Sequence, residues 1–143
     1  MRDLHDTIAV VQTLDPATTT TTRVGAPVDR QGFESVEHTA LLGATGDVLS
    51  GSVFIELKLE HSEDASTWTA VTTADQVLGG PITASGVFAT IDSTTEDQTA
   101  YRIGYVGNAR YSRVTAALTG AHTSGTPIAA LAILGAAHVK PAV

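Results

Sequence analysis

The side chains best suited to chemistry lie in one acidic run near the middle of the chain. Glu60, His61, Glu63 and Asp64 fall close together, and serines stand beside them. A loop of this kind can supply part of a Ca²⁺ shell, which takes about six to eight oxygen ligands. The run lacks the alternating Asp/Asn pattern and the terminal Glu of a calcium-binding loop. We therefore interpret it as a solvated hairpin loop and predict no metal site.

Catalytic chemistry has little support elsewhere in the sequence. Glu56 and Glu60 lie on one predicted strand roughly 13 Å apart, whereas the carboxyl pairs of glycosidases are about 5–9.5 Å apart. The chain has no Gly-x-Ser-x-Gly elbow and no phosphate-binding loop. The histidines are scattered without the i, i+4 spacing of a zinc helix: they are His5, His38, His61, His122 and His138. We predict that the protein is not an enzyme and binds no cofactor.

The composition restricts the class of partner. Eight Lys and Arg against fifteen Asp and Glu give a net charge of −7 at pH 7. Such a chain lacks the basic surface that nucleic acids require, and anionic membranes repel it. Without cysteine it forms no disulfide and no thiolate metal site. Charged residues make up 16% of the chain, below the about 25–35% typical of soluble surfaces, which indicates that a partner covers part of the surface.

The first residues carry no recognisable export signal. Residues 1–6 include charges of both signs, and the apolar run at residues 8–11 is too short for a signal peptide or a membrane span. This pattern predicts a protein that is made and used without export.

The clearest structural pattern is the alternation within residues 52–71. Val53, Ile55, Leu57 and Leu59 alternate with mostly polar residues, which is typical of a strand with one buried face. The acidic run interrupts this pattern, and a second β-prone stretch follows it. We predict a hairpin, with Trp68 covering the apolar face of the first strand.

Short β-prone runs bounded by Gly, Pro, Asn and Asp fill the rest of the chain. They cover residues 8–14, 35–42, 86–92, 101–106, 110–118 and 128–134. The first run is predicted to end at Asp15-Pro16, because proline removes a ladder donor. Residues 101–106 and 110–118 are predicted to form a second hairpin around Gly107-Asn108. The continuous apolar run at 128–134 predicts a central strand covered on both faces.

These runs predict an all-β protein with one domain spanning residues 1–143. No segment shows the helical apolar period over ten or more residues. The expected architecture is an antiparallel β-sandwich, or a jelly-roll-like form of it, with seven or eight strands. Residues 15–28 include five consecutive threonines, and we predict an extended arm or loop there because β-branched residues are stiff.

Four short motifs resemble a known family of structural proteins. In chain order they are residues 1–4 (MRDL), residues 29–35 (DRQGFES), residues 104–107 (GYVG) followed by 110–113 (RYSR), and residues 130–135 (ALAILG). Together they are similar to small structural proteins encoded in the head-gene modules of tailed bacteriophages, prophages and gene-transfer-agent-like particles.

The resemblance implies a virion structural protein on the capsid, assembled in the cytoplasm of the host bacterium. Such a protein binds the capsid surface through repeated contacts, as a decoration and stabilisation protein or as a vertex or spike-base protein. A tail or head-completion role is an alternative. The expected partners are the major capsid protein and copies of the chain itself, in a homo-oligomer.

Six residues in or near these motifs are predicted to contact partners, because Arg and aromatic residues are enriched at interfaces. They are Arg30, Phe33, Tyr105, Arg110, Tyr111 and Arg113. Two alternatives stay open. The tyrosines could fill the core, and Arg110 and Arg113 could pair with Asp29 or Glu34 inside one subunit.

A second class of function also fits the fold. In a carbohydrate-binding, adhesin-like β-sandwich, Trp68, Tyr101 or Tyr111 would provide the stacking platform and the acidic loop would hold a cation. Aromatic residues form only 5% of the chain, which counts against this alternative.

Overall fold

The computed structural model describes residues 3–142, which form two antiparallel sheets packed face to face. The strands are β1 (Ile8–Thr19), β2 (Arg23–Val24), β3 (Val28–Asp29), β4 (Phe33–Leu42), β5 (Phe54–Ser62), β6 (Thr69–Ala70), β7 (Val77–Leu78), β8 (Val87–Ile91), β9 (Ala100–Tyr105), β10 (Tyr111–Thr119) and β11 (Thr126–Ala137). Two short 3₁₀ helices occur, at His5–Thr7 and Ala74–Gln76. None of the helices in the described part of the chain is long and apolar enough to span a membrane. Met1 and Arg2 of the first sequence motif lie outside the described residues.

The order of the strands is that of a jelly roll. The first sheet runs β1-β11-β4-β9-β7, and the second runs β2-β10-β5-β6, with β3 also paired to β10 and β8 also paired to β5. The chain therefore passes repeatedly from one sheet to the other, as in the double-sheet jelly rolls of viral capsid and lectin domains. The predicted all-β, antiparallel sandwich is confirmed.

The core between the sheets follows the predicted alternation. Ile55, Leu57 and Leu59 of β5 are each 0% exposed. On β4 of the facing sheet, Val36 and Ala40 are buried as well. Burying a side chain of the size of Leu or Ile contributes about 1.5–3 kcal/mol, so this alternation is the main source of stability.

One buried contact between the sheets is polar. His38 of β4 and Ser112 of β10 are each 1% exposed, and the His38 Nε2 atom lies 2.8 Å from the Ser112 Oγ atom. Among the described residues, the His38 Nδ1 atom has no hydrogen-bond partner. Burial lowers the pKa of His38 to about 4, because a charged imidazole is poorly solvated between the sheets.

The second predicted hairpin is wrong. β9 pairs with β4 and β7, whereas β10 pairs with β5 in the other sheet. Residues 106–110 therefore carry the chain from the first sheet to the second. Gly107 passes directly over the buried ring of Tyr105, since a Cβ atom at this position would lie 2.5 Å from the Tyr105 Oη atom. Glycine at position 107 therefore allows the loop to pack closely on the Tyr105 ring, and it does not form a tight hairpin turn.

The arm predicted at residues 15–28 is attached to the body of the protein. β1 does not end at Asp15-Pro16 but continues to Thr19, with register shifts on both sides of Leu14. These bulges and the position of β1 at the sheet edge accommodate the proline. The Arg23 guanidinium then donates to the backbone oxygens of Asp15 (2.9 Å) and Ile128 (3.2 Å). The segment is extended, as predicted, but it is held against both sheets.

β11 is central in the first sheet, as predicted, but only one of its faces is covered. It lies between β1 and β4. Alternate residues from Thr126 to Leu134 are buried, while Leu131 and Ile133 between them are only partly buried. The prediction that both faces are covered is therefore wrong for the described chain, and the outer face of this sheet carries apolar side chains.

Candidate functional site: an arginine and aromatic cluster at one end of the sandwich

The structure places five of the six predicted contact residues in one group at an end of the sandwich, which we call the arginine end. Arg30, Phe33 and Arg110 line one cleft, the Tyr105 and Tyr111 rings lie against Arg30 and Arg110, and Arg113 stands apart with Trp68. The turn after β3 connects them, because the Arg30 amide donates to the Arg110 carbonyl (3.2 Å) and the Phe33 amide donates to the Arg30 carbonyl (2.9 Å). Gly32 in this turn has a φ of +89°, a conformation that glycine adopts without strain.

Arg110 is paired inside the subunit. Its guanidinium donates to both carboxylate oxygens of Asp29, at 3.0 and 2.6 Å, and also to the Gln31 side chain. The hydrogen bond from Arg110 lowers the pKa of Asp29, and the same contact raises the pKa of Arg110. The guanidinium also lies 5.0 Å from the centre of the Tyr111 ring. The pairing of Arg110 with Asp29 within one subunit is thus observed.

Arg30 differs from its neighbours because it lacks a charged partner. Its guanidinium carbon lies 5.6 Å from the centre of the Tyr105 ring, a cation–π distance. Among residues 3–142, no carboxylate pairs with it. It lines a cleft of about 420 Å³ together with Phe33, Arg110 and His138. The guanidinium is therefore positioned by an aromatic ring while its donors remain available.

Tyr105 fills the core and supports this cluster from beneath. It is 0% exposed, which corresponds to the alternative in which the tyrosine is a core residue. Its hydroxyl accepts a hydrogen bond from the Ala109 amide (3.1 Å) and lies 2.8 Å from the His61 Nδ1 atom. Burial raises the pKa of Tyr105. Tyr105 thus positions Arg30 but cannot itself contact a partner.

Trp68 lies on the outer face of the second sheet and not on its apolar face. Arg113 stacks over the indole, with 4.1 Å between the guanidinium carbon and the ring centre. The Arg113 Nε atom donates to Glu60 Oε2 at 2.8 Å. The prediction that Trp68 covers the core is wrong, because the return strand after the acidic loop is short and places the indole beside the side chains that alternate with the core residues.

Replacing Arg113 with alanine should lower the free energy of unfolding by about 1 kcal/mol, because the partly buried ion pair and the cation–π contact are lost together. Thermal unfolding should show a melting temperature lower by about 3 °C. Lys58→Ala is the matched control: Lys58 pairs with Glu56 at 3.1 Å on the same outer face but has no aromatic contact, so its effect should be smaller. Unchanged melting of Arg113→Ala would contradict the internal role.

The acidic loop is organised by its own backbone. The Asp64 Oδ1 atom accepts hydrogen bonds from the amides of Ser66 (2.9 Å) and Thr67 (2.8 Å) and from the Ser62 hydroxyl (2.9 Å). These bonds hold the pKa of Asp64 well below its usual range. Within residues 3–142, no group of three or more His, Asp or Glu side chains is arranged to hold a metal ion. The loop thus has the structure of a self-capped turn.

The arginines and tyrosines of this end were identified from the sequence, but the partner of Arg113 was not. Arg113 pairs with Glu60 and not with Asp29 or Glu34. The two residues stand directly opposite each other in the ladder between β5 and β10. The register between β5 and β10 would have predicted this ion pair. The sequence did not give that register, because β10 was expected to pair with β9.

Comparison with known proteins gives likenesses of low similarity. No protein-family model matches the sequence, and no curated protein matches it. Among solved structures, the chain is similar to the SPBc2 prophage-derived protein YomS, with 12% identity and a TM-score of 0.48 over 89% of this chain and 93% of that chain. A second likeness is to the D431N mutant VP2 protein of infectious bursal disease virus in derived T=1 particles. It has 12% identity and a TM-score of 0.29, and covers 93% of this chain and 36% of that chain. Similarity at this level carries no information about function.

Proposed function

We propose that this protein is a virion structural protein of a tailed bacteriophage that binds the capsid surface through the arginine end. It acts as a decoration and stabilisation protein or as a vertex or spike-base protein. The four sequence motifs, in their order, support the phage assignment. The available guanidinium of Arg30 is the observation that carries the docking assignment.

Arg30 is unusual because the chain as a whole is acidic. The sequence contains fifteen acidic and eight basic residues, yet no described carboxylate pairs with the Arg30 guanidinium. Arginine on an aromatic ring loses little conformational freedom when it binds, and it can grip a carboxylate with two parallel hydrogen bonds. The cleft it shares with Phe33 and Arg110 therefore suits an acidic side chain on an apolar surface, as at interface hot spots.

The proposed partners are the major capsid protein and copies of the chain itself. Repetition by capsid symmetry makes weak contacts sufficient, because each added contact raises the effective concentration for the next one. The proposal involves neither catalysis nor a cofactor, and its partners are neither nucleic acid nor membrane. In a tail or head-completion role, the same arginine end would bind an acidic surface on the tail or on the head–tail junction instead of the capsid lattice.

The carbohydrate-binding alternative has weaker support. Jelly rolls occur in lectins as well as capsids, so the fold favours neither function. One face of Trp68 is occupied by Arg113. Tyr101 belongs to the other sheet, and its hydroxyl donates to the Glu96 carbonyl at 2.6 Å. These aromatic rings do not combine into one stacking platform.

Sedimentation with matched empty heads tests the proposal. The wild-type chain should co-sediment, and Arg30→Ala should weaken binding about tenfold, as expected for the loss of one well-positioned interface arginine. Arg30→Glu should reduce it further. Lys58→Glu makes the same charge change on the outer face of the second sheet and should bind normally.

The copy number then separates the roles. Hundreds of copies per particle indicate decoration of the lattice, whereas about ten to sixty indicate fivefold vertices. Absence of wild-type binding would contradict a role on the head. Equal binding by wild type and Arg30→Glu would contradict docking through the arginine end.

A further inference from the structure

The two outer faces of the sandwich differ in chemistry. The outer face of the second sheet carries ion pairs, Glu56 with Lys58 (3.1 Å) and Glu60 with Arg113 (2.8 Å). The outer face of the first sheet carries apolar side chains on β1, β11 and the end of β4, with one ion pair, Glu37 with Arg102, at their border. Such a face is costly to leave in water, and large apolar patches on soluble proteins mark interaction sites.

The apolar side chains of the first sheet form one continuous patch across three strands. Val10 of β1 is 59% exposed and Leu41 of β4 is 45% exposed. Between these strands lies β11, where Ile133 stands opposite Val10 and Leu131 stands opposite Gln12. Val10, Leu41 and Leu131 line a shallow groove of about 320 Å³. We call this surface the apolar face.

We infer that the apolar face binds the same face of a second copy of this chain, in a twofold-symmetric dimer. Charge is the first argument. The chain carries a net charge of −7, so two copies approach each other most easily through a face without unpaired acidic groups. The central residues of the ladder rows are uncharged, and Glu37, which continues the row of Ile133, is paired with Arg102.

The border of the apolar face is complementary to itself. Glu37 of β4 continues the row of Ile133, and Arg102 of β9 continues the row of Thr39. The two form an ion pair at 3.5 Å, and the Arg102 side chain is 77% exposed. Because Glu37 and Arg102 stand on neighbouring strands, a second copy related by a twofold axis can present its Arg102 to Glu37 and its Glu37 to Arg102. A twofold interface repeats this contact, so one charge of each sign is sufficient.

The size of the face also fits a dimer. With strands about 4.8 Å apart and a rise of about 3.3 Å per residue, the three strands of the apolar face and the border strand β9 cover about 19 Å by 30 Å over nine residues. Because side chains project from the sheet, the accessible surface is larger than this flat area. It approaches the area of about 800 Å² that each partner of a standard interface buries. Flat sheets also pack on one another readily, as the two sheets inside this molecule do.

Sedimentation velocity on the purified chain, without phage heads, tests this inference. The wild-type chain should dimerise with increasing concentration. Leu131→Glu should weaken the dimer on the order of 100-fold, because a charge would be buried without a partner. Val48→Glu is the matched control: Val48 is 86% exposed in a loop, so this variant should dimerise normally.

Charge reversal tests whether the occupant is a second copy. Arg102→Glu alone should weaken the dimer, and the double variant Glu37→Arg, Arg102→Glu should restore it.

A wild-type chain that stays monomeric at submillimolar concentration would overturn the inference, and so would a Leu131→Glu variant that dimerises like wild type. A third result would also overturn it: loss of head binding in Leu131→Glu while the wild-type chain is monomeric in solution. The last result would assign the face to the capsid protein. Dimerisation and head binding are measured separately, so failure of either proposal is distinguishable from failure of the other.

Discussion

Replacing Gly107 with alanine is expected to lower the free energy of unfolding by about 3 kcal/mol. A Cβ atom at this position would lie 2.5 Å from the Tyr105 Oη atom and 2.6 Å from two ring carbons. The ring cannot move away easily, because Tyr105 is fully buried and its hydroxyl is bonded to His61 and Ala109. Either the loop lifts from the sheet edge or these two hydrogen bonds are lost.

Thermal or urea unfolding of the variant measures this effect. A loss of that size corresponds to a melting temperature lower by about 10 °C in a domain of this length. Gly51→Ala is the control, since a Cβ at Gly51 has no atom within 4 Å and its backbone is not in the left-handed region. If Gly107→Ala and Gly51→Ala unfold at the same temperature, the loop at residues 106–110 does not lie against the Tyr105 ring.

Acidification should weaken the fold between pH 6.5 and about 4 through His38. The folded pKa of about 4 lies below the ordinary histidine pKa of 6.5, so the unfolded chain binds more protons in this window. Stability is therefore complete above pH 6.5 and decreases as the pH falls toward 4. The full loss is about 3 kcal/mol, at about 1.4 kcal/mol for each pH unit of the difference.

Urea unfolding at a series of pH values checks this expectation. His38→Gln keeps an amide next to Ser112 but does not titrate, so the slope between pH 6.5 and 4 should be reduced in this variant. Asp29, Asp47 and Asp64 have lowered pKa values and lose their contribution only below about pH 3.8. An unchanged slope in His38→Gln would assign the acid sensitivity to groups other than His38.

The strands with one buried face were predictable because a period of two is a local property. Val36, His38, Ala40 and Leu42 alternate in the sequence, and the structure buries all four. The partner of each strand was not predictable in the same way. β9 and β10 both alternate, and their pattern is the same whether they pair with each other or belong to different sheets. The two arrangements differ in the long-range ladders, β9 with β4 and β10 with β5, and no local pattern encodes those ladders.

Local rules also failed where a long-range contact overrides them. Proline at position 16 predicted the end of β1, but bulges and an edge position let the ladder continue to Thr19. Arg23 fixes the threonine-rich segment through the carbonyl of Ile128, a residue of the last strand. No window around residues 15–28 contains that partner, so the sequence indicated extended backbone without its attachment.

The candidate site shows the same division between residue type and partner. The residue types in the motifs predicted contacts with partners, and the structure groups Arg30, Phe33 and Arg110 around one cleft. Which arginine keeps its donors available depended on tertiary structure. Arg110 pairs with Asp29 and Arg113 with Glu60, whereas no carboxylate of residues 3–142 pairs with Arg30. The three look equivalent in the sequence and differ only once the strands are placed.

The position of the last strand governs how this protein can be made. β11 lies between β1 and β4, so these two strands leave the ribosome well before the strand that pairs with both of them. Such long-range pairing is slow to form, and open strand edges attract other chains meanwhile. A product truncated before residue 126 lacks the strand that joins β1 to β4. Such a product would have unpaired edges on β1 and β4, so we expect it to aggregate and not to fold into a less stable form of the native protein.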